Sequence, residues 1–217
     1  MSADPVPRSR RKRLGPSERR DSILDSALNL VTRLDSFTVT IAEIADEEGV
    51  SKPVVYDHFA NIDDLLAALF DRERTVAVAG MLEITSRRIE SDDPAERMMF
   101  ALSLAGVFFE LVRERPERWI LTLNPPLGLT PETREMTETG LRLVHESVIE
   151  LLAWAIPESD QLELGLTAHM LQAILERMGI LIISEPEQHS PEKMLAFAST
   201  HIGWWLAGQG TVTWPPA

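Results

Sequence analysis

Apolar residues recur along this chain at spacings of three and four and nowhere in strict alternation, so every predicted element is a helix. Ile23, Leu24, Ala27, Leu30, Val31 and Leu34 set a first helix over about 17–34. Thr40, followed three residues later by Glu43, forms a capping box that opens a second helix, and Gly49 supplies its left-handed stop. Ser51 offers another N-cap. Pro53 falls in the first turn behind it, where a missing N–H costs little, so a third helix runs from Lys52 to His58. Ile44, Ala45, Val50, Val55 and Phe59 are the inward residues of this pair, and Lys52, Pro53, Val54, Tyr56 and His58 form the outer surface of its second member. Two short helices around a tight turn make a helix-turn-helix, whose second helix suits a DNA groove.

Asn61 caps a fourth helix, with Asp63 and Asp64 in its positively polarised first turn and Leu65, Leu66, Leu69 and Phe70 beginning an apolar stripe that reaches about Ile89. At ~1.5 Å per residue such a helix leaves the small head and enters whatever follows as a rod. One start signal then repeats: Asp93-Pro94, Thr130-Pro131 and Ser190-Pro191, each with an early acid. These divide the remainder into helices at about 94–114, 116–123, 131–155, 158–184 and 190–207, with a proline-rich loop from Asn124 to Gly128. The predicted fold is all-α: a disordered basic arm at 1–16, a three-helix head at 17–66, a larger helical body at 67–207 and a tail at 208–217.

Two of the body helices are apolar on more than one face. In the helix over 158–184, Thr167, Leu171, Ile174, Met178 and Leu181 are spaced like a short coiled-coil seam, while Leu164, Ala168, Leu175 and Ile182 line another face. In the last helix Met194, Phe197, His201 and Trp205 share one line, and Leu195, Ile202 and Leu206 a neighbouring one. Such helices need two partners, either both within a monomer core or one of them on a twin subunit.

Charge changes the picture. The net charge of −13 argues at first against a nucleic-acid partner, but its distribution does not. Residues 1–20 hold seven basic residues, Arg8, Arg10, Arg11, Lys12, Arg13, Arg19 and Arg20, against two acids, whereas everything after residue 60 has 12 basic and 24 acidic residues. A basic arm on an acidic body is expected when only one end of a molecule touches phosphate. The absence of cysteine excludes disulfides and zinc–thiolate sites. The basic N-terminus lacks the apolar segment of a signal peptide, and the longest apolar-rich stretch, Met98 to Phe109, is too short to span a bilayer, so the expected location is cytoplasmic with no membrane partner.

The run from Arg20 to Leu66, carrying Arg20, Ile23, Leu24, Ala27, Thr38, Ile41-Ala42, Ile44-Ala45, Gly49-Val50-Ser51, Tyr56, His58-Phe59 and Leu65, resembles the N-terminal domain of the tetracycline-repressor-type (TetR) regulators. The resemblance implies a homodimeric DNA-binding regulator, a repressor released from a near-palindromic double-stranded operator by a hydrophobic small molecule. It implies that Lys52, Pro53 and Val54 face base edges, that Thr40, Tyr56 and His58 hold phosphates and that Ser51 begins the reading helix. Chemically, Lys52 suits a guanine edge, Pro53 and Val54 a thymine methyl, and the Tyr56 hydroxyl a phosphate oxygen. The family's effector pocket falls on body helices that carry Met98, Met99, Phe108, Phe109, Trp119, Met136, Trp154 and Met170, with His145, His169 or a glutamate as a polar anchor. Its dimer face corresponds here to Leu171, Ile174, Met178, Leu181, Phe197, His201 and Trp205.

Two departures from the family pattern matter: Ile62 stands where a phosphate-binding lysine usually opens the fourth helix, and Ala42 where the second helix often offers a basic residue. Residues 21–60 hold only Arg33 and Lys52 against eight acids, so the arm, with Arg8, Arg10, Arg11, Lys12 and Arg13, is expected to supply much of the phosphate attraction. A ligand-binding dimer of the same fold with weak or lost DNA binding is the alternative. No phosphate-binding glycine loop, Gly-x-Ser-x-Gly elbow or metal-ligand spacing among the five histidines points to an enzyme, a metal or a cofactor.

Overall fold

The structure, a computed structural model, describes residues 15–34, 38–123, 131–157 and 161–207, with the side chains of 131–133, 136, 161–163 and 202–207 outside that description. The arm cations Arg8, Arg10, Arg11, Lys12 and Arg13, and the side chains of Met136 and Trp205, therefore lie outside the described residues. Among the described residues all regular structure is α-helical: α1 Pro16–Leu34, α2 Ile41–Glu48, α3 Lys52–Tyr56, α4 Ile62–Ser86, α5 Pro94–Glu114, α6 Pro116–Leu123, α7 Pro131–Ala155, α8 Gln161–Ser184 and α9 Pro191–Ala207. The chain divides into two compact units after Leu66.

In the first unit α1 buries Ile23, Leu24, Ala27, Leu28, Leu30 and Val31. Its neighbour α2 contributes Ile44 and Ala45, and Val55 and Phe59 complete the core. Each fully buried large aliphatic side chain is worth roughly 1.5–3 kcal/mol, enough to fix how so short a helix as α3 is held. The capping box at Thr40 and Glu43 is formed, and Gly49 sits at φ 73°, ψ 35° with its N–H directed at the Ala45 and Asp46 carbonyls. A side chain at that φ would be strained, which is why glycine closes α2.

Two local expectations change. The Ser51 hydroxyl makes no cap bond, so α3 starts on the fixed φ of Pro53 rather than on a serine cap. The helix also stops at Tyr56 instead of His58. The His58 and Phe59 N–H groups both donate to the Val55 carbonyl at 3.0 Å, a tightening that turns Phe59 into the core.

In the second unit α5 packs against α6, α7, α8 and α9. Leu104, Phe108, Phe109 and Val112 of α5 share one core with Leu164, Ala168, Met178 and Ile182 of α8. At Gly106 a β-carbon would come within 2.7 Å of Leu195, so glycine there permits the close approach of α5 and α9. The end of α4 falls at Ser86, short of Ile89, and an Arg88 Nη1 donates to the Thr85 carbonyl at 2.6 Å in the final turn.

The expected seam of α8 is divided by the fold. Thr167, Leu171 and Met178 are buried within the chain and Leu181 packs against the core, which removes Leu171 and Met178 from any outer face. The exposed apolar line is instead Leu166, Met170 and Ile174, spaced by four. Leu164–Ser184 is also long and apolar enough, by length and composition alone, to cross a membrane, with a mean hydropathy of 1.4. The expectation that no stretch was long enough is corrected here. That apolarity packs one face of α8 into the core, and Glu176 and Arg177 interrupt the helix.

Candidate nucleic-acid interface and ligand cavity

The first unit presents α3 outward. Ser51, Lys52, Pro53 and Tyr56 are exposed and Val54 and His58 half-buried, while Val55 between them is fully buried and anchors the helix. Behind this surface the cations are used internally. The Arg33 guanidinium donates both Nη atoms to the Glu47 carboxylate, at 2.9 and 2.7 Å, and holds that carboxyl below its usual range. Arg19 reaches Glu48 at 2.5 Å, joined there by the Ser22 and Ser26 hydroxyls at 2.7 Å each. Burial alone pushes the Glu48 carboxyl up, but these three hydrogen bonds together outweigh it and leave the carboxyl below the ordinary value. The Arg20 guanidinium lies over the Phe59 ring, 4.9 Å from its centroid. Among the described residues of this unit, Lys52 is the cation with neither an ion pair nor a ring contact.

Thr40 caps α2 as expected and is exposed. Its hydroxyl donates to Glu43 Oε2 at 2.8 Å and accepts the Glu43 N–H at 3.3 Å. Those bonds hold the Glu43 carboxyl below its usual range, so a charged carboxylate stands beside the hydroxyl offered to phosphate.

The second unit encloses a cavity of about 340 Å³ between α4, α5, α6, α7 and α8, with Ala198 of α9 at its edge. Its walls are mainly aliphatic, and Phe108 and Trp119 meet in it edge to face, 5.1 Å apart at 88°. Its polar groups are few. The Thr85 hydroxyl donates to the Met81 carbonyl and lies 2.9 Å from the Ser147 hydroxyl, and Thr122 donates to the Arg118 carbonyl. Gln172 Oε1 pairs with His145 Nδ1 at 2.6 Å, and the His145 ring stacks on His169 at 3.8 Å. Glu176, one turn further along α8, has no hydrogen bond or ion pair among the described residues, and burial pushes its carboxyl above the usual carboxylate range.

Residues 23–69 match the family model for bacterial regulatory proteins, tetR family. The first unit carries a TetR-type helix-turn-helix domain. A helix-turn-helix-type transcriptional regulator of Mycobacterium tuberculosis is 31% identical over 111 residues, covering 50% of this chain and 52% of that protein. The chain thus spans about half the length of the first curated relatives it matches. The helix-turn-helix-type transcriptional activator FasR of Mycolicibacterium smegmatis is 25% identical over 175 residues, 81% of this chain and 73% of FasR. Among solved structures, FadR of Bacillus subtilis in complex with stearoyl-CoA has a TM-score of 0.63 at 17% identity, covering 87% of this chain and 98% of that one. AibR in complex with isovaleryl coenzyme A and operator DNA has a TM-score of 0.65 at 18% identity, covering 84% and 97%. At those identities the likeness is one of fold.

In the second unit the expected pocket residues separate. Met98, Phe108 and Trp119 line the cavity. Phe109 is fully buried but faces the core elsewhere, Met99 is 72% exposed, and Met170 lies on the outer line of α8. Trp154 packs edge to face on Phe100, with the Arg88 and Arg97 guanidinium groups at its ring, and does not reach the cavity. His145 acts one step back, holding the Gln172 that does. Of the expected dimer face, Ile174 is exposed on α8 and Phe197 and His201 on α9, the two rings stacked at 4.0 Å. Sequence reasoning expected a glutamate anchor without singling out Glu176, and missed Gln172. Their signal was a polar pair four apart along an apolar-rich helix, which puts both on one face.

Proposed function

We propose that this chain is a ligand-responsive DNA-binding transcriptional regulator that works as a homodimer. In this reading α3 reads the operator through Lys52, Pro53 and Val54 while Tyr56 and His58 hold phosphates, and a largely apolar small molecule in the body cavity releases the DNA. The carrying observation is the coincidence of the family match at residues 23–69 with a capped helix-turn-helix whose outer face bears Lys52, Pro53 and Tyr56 in the open. AibR, solved with both isovaleryl coenzyme A and operator DNA, supports the pairing of ligand and operator on this fold. The exposed apolar line of Leu166, Met170 and Ile174, with Phe197 on α9, supports a twin subunit, because two heads on a two-fold axis read a near-palindromic site. Release on ligand binding makes the regulator a repressor.

The reading is tested by fluorescence anisotropy of the full chain on its own upstream intergenic DNA against a shuffled control, at low and near-physiological salt. Selective binding that survives salt supports it. Equal, salt-sensitive binding to both favours a second reading, a ligand-binding dimer whose head has lost specificity. The observation on that side is the engagement of Arg19 and Arg33 by Glu48 and Glu47.

A further inference from the structure

The body cavity is mainly apolar, with Thr85, Thr122, Thr137, Gln172 and Glu176 as the polar residues of its wall. Of these, Thr85, Thr122, Thr137 and Gln172 are already engaged, while the Glu176 carboxyl is without a hydrogen bond or ion pair among the described residues. Glu176 is half-buried, and a carboxyl partly withdrawn from water without a partner carries a cost that a matching donor recovers. A cation is the strongest such donor, since a charge-assisted hydrogen bond to a carboxylate is roughly twice as strong as a neutral one. A further feature favours a cation over a neutral donor. The chain beyond residue 60 carries twice as many acids as bases, which concentrates cations around the body and repels anions from it.

We propose that Glu176 is the ligand-reading residue of this cavity, and that its effector is a hydrophobic amine whose ammonium sits on that carboxylate while the apolar part fills the space beside Phe108 and Trp119. The proposal rests on the cavity being the effector site. The same geometry disfavours free fatty acids, because a ligand carboxylate beside the half-buried Glu176 is a like-charge pair.

The test uses the full chain and four probes sharing one eight-carbon chain: octylamine, 1-octanol, octanoate and octanoyl-CoA, titrated calorimetrically against the wild-type protein and Glu176→Gln. The expected result is octylamine binding at least about tenfold tighter than each of the others. In Glu176→Gln that preference collapses while 1-octanol affinity changes by less than about twofold. The proposal is overturned if no probe binds, if 1-octanol, octanoate or octanoyl-CoA binds as tightly as the amine, or if Glu176→Gln keeps the amine preference, which would place the amine on the acidic surface. Operator anisotropy with the same probes separates this from the regulator reading. Glu176-dependent amine binding that leaves DNA affinity unchanged sinks the regulator and keeps the amine site, whereas operator release by octanoyl-CoA in preference to octylamine does the reverse.

Discussion

Arg118 Nε donates to Glu73 Oε2 across 2.7 Å, tying α6 to α4 through a carboxylate whose side chain is 3% exposed. Arg72 holds the other oxygen of the same carboxylate at 2.7 Å. Because α6 supplies Trp119 to the cavity wall and α4 supplies Ala77 and Met81, this pair joins two walls of the ligand site. A double-mutant cycle with Glu73→Gln and Arg118→Gln, read by urea unfolding, is expected to give a coupling of about 1–3 kcal/mol. Additive single effects would show that the two helices are held by packing alone.

Glu48 makes the first unit acid-sensitive. Its carboxyl has a lower pKa folded than unfolded, so its stabilisation is present above the unfolded carboxylate value of about 4.3 and is lost as pH falls through the folded value. Glu48→Gln keeps the shape but weakens the bonds from Ser22, Ser26 and Arg19, and should cost about 1–3 kcal/mol at neutral pH. Chemical denaturation of wild type and variant should converge toward pH 3, and a constant difference across that range would contradict the assignment.

On the recognition face, Lys52→Ala should weaken operator binding by about 1–3 kcal/mol and relax selectivity at one position of the site. Tyr56→Phe, which removes only a hydroxyl from a side chain 54% exposed, should weaken binding to all sequences alike. Anisotropy on the operator and on single-base variants separates the two effects, and an unchanged selectivity profile for Lys52→Ala would remove it from the base edge.

Deleting residues 1–16 removes Arg8, Arg10, Arg11, Lys12 and Arg13. Each phosphate contact so lost should lower the slope of log affinity against log salt by about 0.9. With Arg19 and Arg33 engaged by acids, the slope should fall by several such steps, and a full-length slope retained by the truncated protein would exclude the arm from the DNA.

For the dimer, Ile174→Asp and Phe197→Asp each put a charge on the exposed apolar line of α8 and α9 and should shift sedimentation from dimer to monomer without unfolding the chain. Leu171→Asp, aimed at the buried side of α8, should instead destabilise the fold by several kcal/mol. If Ile174→Asp remained dimeric, another face would have to carry the association.

What the sequence determined by itself is local. The starts of α2, α4 and α5, and the αL stop at Gly49, are written in caps and breakers that act within four residues: Thr40 with Glu43, Asn61 on the Asp64 N–H, Asp93 on the Ala95 N–H. Ser51 shows the edge of that reach, because a serine in the right place still left its cap bond unmade. The tertiary structure alone decided which side of each body helix faces inward. On a helix as apolar as α8 the three- and four-residue spacings fit more than one stripe, so the seam through Leu171, Ile174 and Met178 was as well formed as the line through Leu166, Met170 and Ile174 that the packing left outside. For the same reason Met98 lines the cavity while its neighbour Met99 faces solvent. Hydrophobic burial is non-directional, and only the neighbouring helices specify a direction for it.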